Sequence, residues 1–112
     1  MTNTEMTAGQ IADAHRECEI AFFRSRITFH MWRVLNFLAH EPGPTLSEIA
    51  EHLKITPSSA SNMCGKLASA GLIVIGPHPT LSGIHRSVNL TEAGNNAHTD
   101  GLNRLSAALA DC

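Results

Sequence analysis

Five residues between Ser58 and Lys66 carry side chains suited to reading a nucleic-acid duplex: Ser58, Ser59, Ser61, Asn62 and Lys66. If the segment is helical, Ala60, Met63, Cys64 and Leu67 fall on one face and those five on the other. Short hydroxyl side chains let a helix backbone approach a major groove closely, and asparagine can pair bidentately with adenine. A lysine at the far end suits a phosphate or, equally, open solvent. Serines in the first helical turn are also ordinary caps, so Ser58 and Ser59 stay open between the two roles. Ser61 and Asn62 lie too deep for capping, and a base or phosphate contact is the expectation there. Gly65, beside Lys66, lowers helix propensity and permits close packing. Arg86 is the sixth candidate, a cation on a returning strand that could meet the minor groove or flanking phosphates.

The elements that must position these residues follow from hydrophobic period and punctuation. Residues from about Thr7 to Arg24 read as a helix, with Ile11, Ala14, Cys18, Ala21 and Phe22 at three- and four-residue spacing. Thr28 is the N-cap of a second helix whose stripe is Met31, Trp32, Leu35, Leu38 and Ala39, ended by Glu41-Pro42-Gly43-Pro44. Thr45-Leu46-Ser47-Glu48 has the spacing of a capping box and opens a helix through Ile49, Ala50 and Leu53. Thr56-Pro57 restarts a helix after a turn of about three residues, and Gly71 is a good residue to end it. This is a helix-turn-helix pattern.

After Gly71 the period changes to two. Leu72–Ile75 and Ile84–Leu90 read as strands joined by a loop, with Ile84, Val88 and Leu90 on one side and His85, Ser87 and Asn89 on the other. Arg86 shares the apolar parity, so its stem should pack while its head stays wet. Thr91-Glu92-Ala93-Gly94 caps a last helix to about Ala110 carrying Leu102, Leu105, Ala108 and Leu109. The fold class is mainly α with a small β-hairpin: a single winged helix-turn-helix domain over residues 1–112. Residues 26–91 form its DNA-binding core, with helical arms at about 1–25 and 92–112.

The sum of charges speaks against a nucleic-acid partner, because the 112-residue chain has a net charge of -2. Its distribution matters more. Seven of the ten acids lie in residues 1–51, whereas no Asp or Glu falls between His52 and Thr91. That acid-free stretch holds Lys54, Lys66 and Arg86, and can give one face a positive potential.

Composition narrows the class further. A content of 43% hydrophobic and 16% charged residues is that of a globular chain. The apolar run Leu72-Ile73-Val74-Ile75 is only four residues, so no transmembrane helix or membrane partner is expected, and the first residues lack a signal-peptide pattern. A cytoplasmic location is the default. Three cysteines with no CxxC spacing suggest neither disulfides nor a zinc ribbon, and the seven histidines show no metal-ligand spacing. Cys18 could be a redox-sensing thiol, but a small apolar residue at a helix interface explains it better. No P-loop, dinucleotide turn or nucleophile elbow is present, so neither catalysis nor a cofactor is expected.

Four blocks taken in order resemble a known family. They are Met31-Trp32-Arg33-Val34-Leu35-Asn36-Phe37-Leu38, Leu46-Ser47-Glu48-Ile49-Ala50-Glu51-His52-Leu53, Lys66-Leu67-Ala68-Ser69-Ala70-Gly71-Leu72-Ile73 and Leu90-Thr91-Glu92-Ala93-Gly94. Together they are similar to the signatures of MarR-type winged-helix regulators over roughly residues 20–100. The resemblance implies a dimeric, cytoplasmic, sequence-specific transcriptional regulator of a prokaryotic kind. Two features depart from the pattern. The family's wing motif Asp-x-Arg is missing, leaving Arg86 as the wing arginine. The chain is also shorter than usual, chiefly at its C-terminus, so a final dimerisation helix is expected to be absent.

The resulting expectation is a homodimer that binds double-stranded DNA at a pseudo-palindromic operator, acts as a repressor and answers to an effector of unknown identity. The alternative is a winged-helix protein–protein interaction module without DNA binding. The acidic first half and the single lysine on the reading helix speak for that alternative.

Overall fold

Three threonines set where the central helices begin. Thr28 Oγ1 accepts the Met31 amide at 3.1 Å, Thr45 Oγ1 the Glu48 amide at 3.1 Å, and Thr56 Oγ1 the Ser59 amide at 3.1 Å. Each bond satisfies a donor that the first helical turn leaves orphaned. At Thr45 the box closes, because Glu48 Oε1 accepts the Thr45 amide at 2.9 Å. The Thr45 amide foremost, and the Thr45 side chain after it, hydrogen-bond the Glu48 carboxyl and hold it below the usual carboxylate range.

The computed structural model describes residues 7–23, 25–78 and 86–110. Its elements in chain order are α1 (Ala8–Ala21), α2 (Phe29–His40), α3 (Leu46–Leu53), α4 (Pro57–Ser69), β1 (Ile73–Pro77), β2 (Arg86–Leu90) and α5 (Glu92–Ala110). The strands pair antiparallel, with Ile75 opposite Val88 and Pro77 opposite Arg86. The chain is mainly α with a small β-hairpin, a winged helix-turn-helix with helical arms. Arg24, residues 79–85 at the expected wing tip, and Cys112 lie outside the described residues.

The core is built where α2, α3, α4 and the hairpin meet. Leu35, Ile49, Leu67, Val34, Val88 and Cys64 are its fully buried side chains. Burying an aliphatic side chain of this kind contributes about 1.5–3 kcal/mol, so this cluster fixes how α4 sits on the rest. α5 runs back across α2 and packs against α1.

Two features of this packing could not be read from the sequence. Ser87, on the side of β2 opposite Val88, is buried, forms an isolated bridge with Thr45, and its hydroxyl donates to the Gly43 carbonyl at 3.2 Å. The Val88 amide also donates to the Pro44 carbonyl at 2.9 Å. The α2–α3 connection therefore lies along β2 like a third strand, and alternation within β2 could not announce that cover. The second concerns α5, whose Leu102 and Leu109 are exposed. The buried face of that helix is Gly94, His98, Gly101 and Leu105.

Candidate nucleic-acid interface

The reading helix α4 is held from both ends. Pro57 occupies its first turn, and Thr56 caps it. The turn from α3 is tight because Lys54 takes a left-handed conformation, φ 57° and ψ 44°, unusual for a residue with a side chain. At the far end Gly71, with φ +78°, turns the chain into β1. Ala60, Cys64 and Leu67 anchor the inner face. Burial pushes the Cys64 thiol up to about 11, so it is a packed, unreactive group.

A second clamp joins the end of α4 to α5 and explains the Leu-Thr-Glu-Ala-Gly block. Thr91 Oγ1 donates to the Gly71 carbonyl at 2.6 Å and accepts the Gly94 amide at 3.0 Å. The Thr91 amide donates to the Leu72 carbonyl at 3.1 Å. A Cβ on Gly94 would fall 1.8 Å from that carbonyl oxygen, so only glycine fits.

With the helix so fixed, Ser58, Ser59, Ser61, Asn62 and Lys66 are all exposed, as their spacing predicted. They are not equivalent. The Ser59 hydroxyl accepts a hydrogen bond from Thr56 Oγ1 at 2.9 Å, so it is occupied with the cap. Ser61, Asn62 and Lys66 line one open trough together with Gly65 and Ser69. Ser69 escaped the sequence reading, although its place three residues beyond Lys66 puts it on the same face. Arg86 is exposed at the start of β2, opposite Pro77, and does not line that trough.

The sequence also gave no signal for the pair that docks α5. Trp32 Nε1 donates to the His98 carbonyl at 3.1 Å, and the two rings stack 5.5 Å apart. His98 Nε2 meets Asn36 Oδ1 at 2.9 Å. Burial, with the nearby His40, holds the His98 imidazole below its usual range. Among the described residues, no group of three His, Cys, Asp or Glu could hold a metal ion, and no helix is long and apolar enough to cross a membrane.

The MarR family model matches residues 27–80, which span α2, the helix-turn-helix and β1. A MarR-family transcriptional regulator from Rhodococcus sp. RHA1 superposes with a TM-score of 0.80 at 19% identity, over 89% of this chain and 70% of that one. The chain has the winged-helix fold of MarR-family regulators. A MarR family protein from Mycobacterium tuberculosis is 25% identical, with a TM-score of 0.74 over 89% of this chain and 70% of its own. The PcaV regulator of Streptomyces coelicolor, solved with its natural ligand, is 20% identical with a TM-score of 0.73, over 100% of this chain and 86% of its own. No curated protein matches the sequence significantly. A MarR-type winged helix is a DNA-binding, transcription-regulating architecture. In this chain the second helix of the helix-turn-helix exposes serines, a glycine, one asparagine and one lysine.

Proposed function

We propose that this protein is a sequence-specific transcriptional repressor that binds a pseudo-palindromic operator as a homodimer, inside the cell. The observation that carries this reading is the exposed strip Ser61, Asn62, Gly65, Lys66 and Ser69 on a helix whose opposite face is locked in the core. No acid interrupts it. Asn62 is the base-reading group, Ser61 senses fit beside it, Lys66 and Arg86 neutralise phosphates, and Ser58 adds a first-turn contact. Ser59 serves the cap.

Selection of bound duplexes from a random DNA pool, followed by anisotropy titration across salt concentrations, tests this. A DNA reader enriches a related set of sequences and shows a log–log salt slope of about -0.9 per neutralised phosphate. Failure to enrich any sequence, with binding absent even at low salt, would hand the molecule to the protein-interaction reading.

Its effector site is the cleft of about 340 Å³ between the α1–α2 connection, the start of β1 and α5. Phe22 and Leu72 make it apolar, and Arg104 is already paired with Asp100 on the same wall at 2.9 Å, which leaves Arg26 to meet the carboxylate of a small apolar acid. PcaV, of the same fold, is a regulator with a natural ligand. Benzoate-class acids should raise the Tm of the wild type and not of Arg26→Ala. Equal shifts in both would remove the cleft from the account.

A further inference from the structure

We propose that Gly65 is the point where the backbone of the reading helix touches the DNA, making it a specificity-determining residue. The proposal rests on the DNA-binding reading above and adds a residue to that interface.

Four glycines lie within the described helices; Gly9 sits at the exposed start of α1, where a Cβ would meet only Thr7 Oγ1 at 3.9 Å, and the other three invite comparison. Gly94 is needed because a Cβ would collide with the Leu72 carbonyl. Gly101 is needed because a Cβ would lie 2.1 Å from Trp32 Nε1. Gly65 has no such neighbour: a Cβ there meets nothing within 4 Å. It is not among the positive-φ residues either, so its backbone is one that any residue adopts. Glycine in a helix interior is unfavourable relative to alanine, and at position 65 the monomer gains nothing from it. What it offers is a bare stretch of backbone in the middle of the exposed trough, flanked by Asn62, Ser61 and Lys66.

The side chains around it say why a bare backbone is useful. Serine and asparagine are short, and they reach base edges only if the helix axis comes closer to the groove floor than a long arginine would require. A methyl group at position 65 would stand between the helix and the sugar–phosphate wall and hold Asn62 off its base. Specificity here depends on what is missing at 65 as much as on what is present at 62.

The test uses the full-length protein, the duplex enriched by the wild type, and a random duplex of equal length. Gly65→Ala should raise the Tm by about 3–6 °C, because helix propensity improves and nothing is displaced. It should also weaken binding to the enriched duplex by about tenfold or more, and affect the random duplex much less. In the Gly65→Ala background, Asn62→Ala should then cost little further specific affinity, since its contact is already lost. A Gly65→Ala protein that binds the enriched duplex within about twofold of wild type overturns the inference and leaves the DNA-binding reading standing. A fall in Tm would assign the glycine to the fold. A changed sedimentation mass for Gly65→Leu would place a second copy of the chain against this face. Either result also overturns the inference. If the wild type enriches no duplex, both readings fall together.

Discussion

Asn62 and Lys66 lie one turn apart on the same exposed strip, yet they should fail in different ways when removed. In the proposed interface the Asn62 amide offers a donor and an acceptor to one base edge, so its loss should change discrimination between sequences. Asn62→Ala should cost about 1–3 kcal/mol on the enriched duplex and far less on random DNA. A lysine ammonium sees only phosphate charge. Lys66→Ala should weaken both duplexes alike and reduce the salt slope by about one per subunit. Equal losses from Asn62→Ala on both duplexes would show that Asn62 meets only the backbone. Arg86 belongs with Lys66. It is exposed at the foot of the hairpin, so Arg86→Ala should lower affinity for every sequence and leave the Tm nearly unchanged. Unfolding of that variant would instead make Arg86 a structural residue of the hairpin.

At the scale of elements, the docking of α5 turns on one buried imidazole. His98 stacks on Trp32, bonds Asn36 and faces His40, whose ring lies 6.3 Å away. No carboxylate is among those contacts to welcome a proton. Because burial depresses its pKa, the folded state resists protonation more than the unfolded chain does. The stabilisation from neutral His98 is therefore present above about pH 6.5 and is lost as pH falls through the folded value. The Tm of the wild type should drop between pH 7 and pH 5. His98→Gln should start lower but lose part of that slope. An unchanged slope would shift the acid sensitivity to other groups.

This same helix marks the boundary of what the sequence made legible. Caps at Thr28, Thr45 and Thr56 and the inward face of α4 could be read directly, because each is a local rule about one turn of helix. The buried face of α5 could not. Gly94, His98, Gly101 and Leu105 recur at helical spacing, but two have no side chain and one is polar, so a search for apolar residues finds only Leu105 among them. The burial of Ser87 went unread for a related reason. Its cover comes from residues 41–45, more than forty positions away, and no alternation inside a strand encodes a long-range neighbour. In the site, Ser61, Asn62 and Lys66 were legible as a face, whereas the roles of Ser59 and Gly65 needed knowledge of what surrounds each atom.

At the scale of the whole molecule, the exposed leucines of α5 have a use. The radius of gyration is 15.4 Å, against about 13 Å for a compact chain of this length, and the long axis spans 49 Å. The excess comes with arms that keep apolar surface in water: Ile11, Ile20 and Phe23 are 54%, 51% and 71% exposed in or next to α1, and Leu102 and Leu109 are 43% and 41% exposed on α5. α1 and α5 pack on each other, so five of the six large apolar residues exposed among the described ones lie in or beside two touching helices, Val74 on β1 being the other. Isolated exposed leucines need no explanation, but a concentration on two touching helices does. A second copy covering that surface would bring two reading helices to one side of a two-fold axis. The enriched duplexes should then carry inverted half-sites about 10 base pairs apart. Sedimentation at micromolar concentration should give about twice the 12.0 kDa chain mass. Introducing Ile11→Asp and Leu109→Asp together puts charge into that surface without touching the core, and should return a 12.0 kDa species that stays folded. Its salt slope on the enriched duplex should be about half that of the wild type, because one subunit neutralises half the phosphates. A double variant that remains dimeric, or a wild type that sediments as a monomer while still selecting paired half-sites, would move the two-fold contact away from the arms.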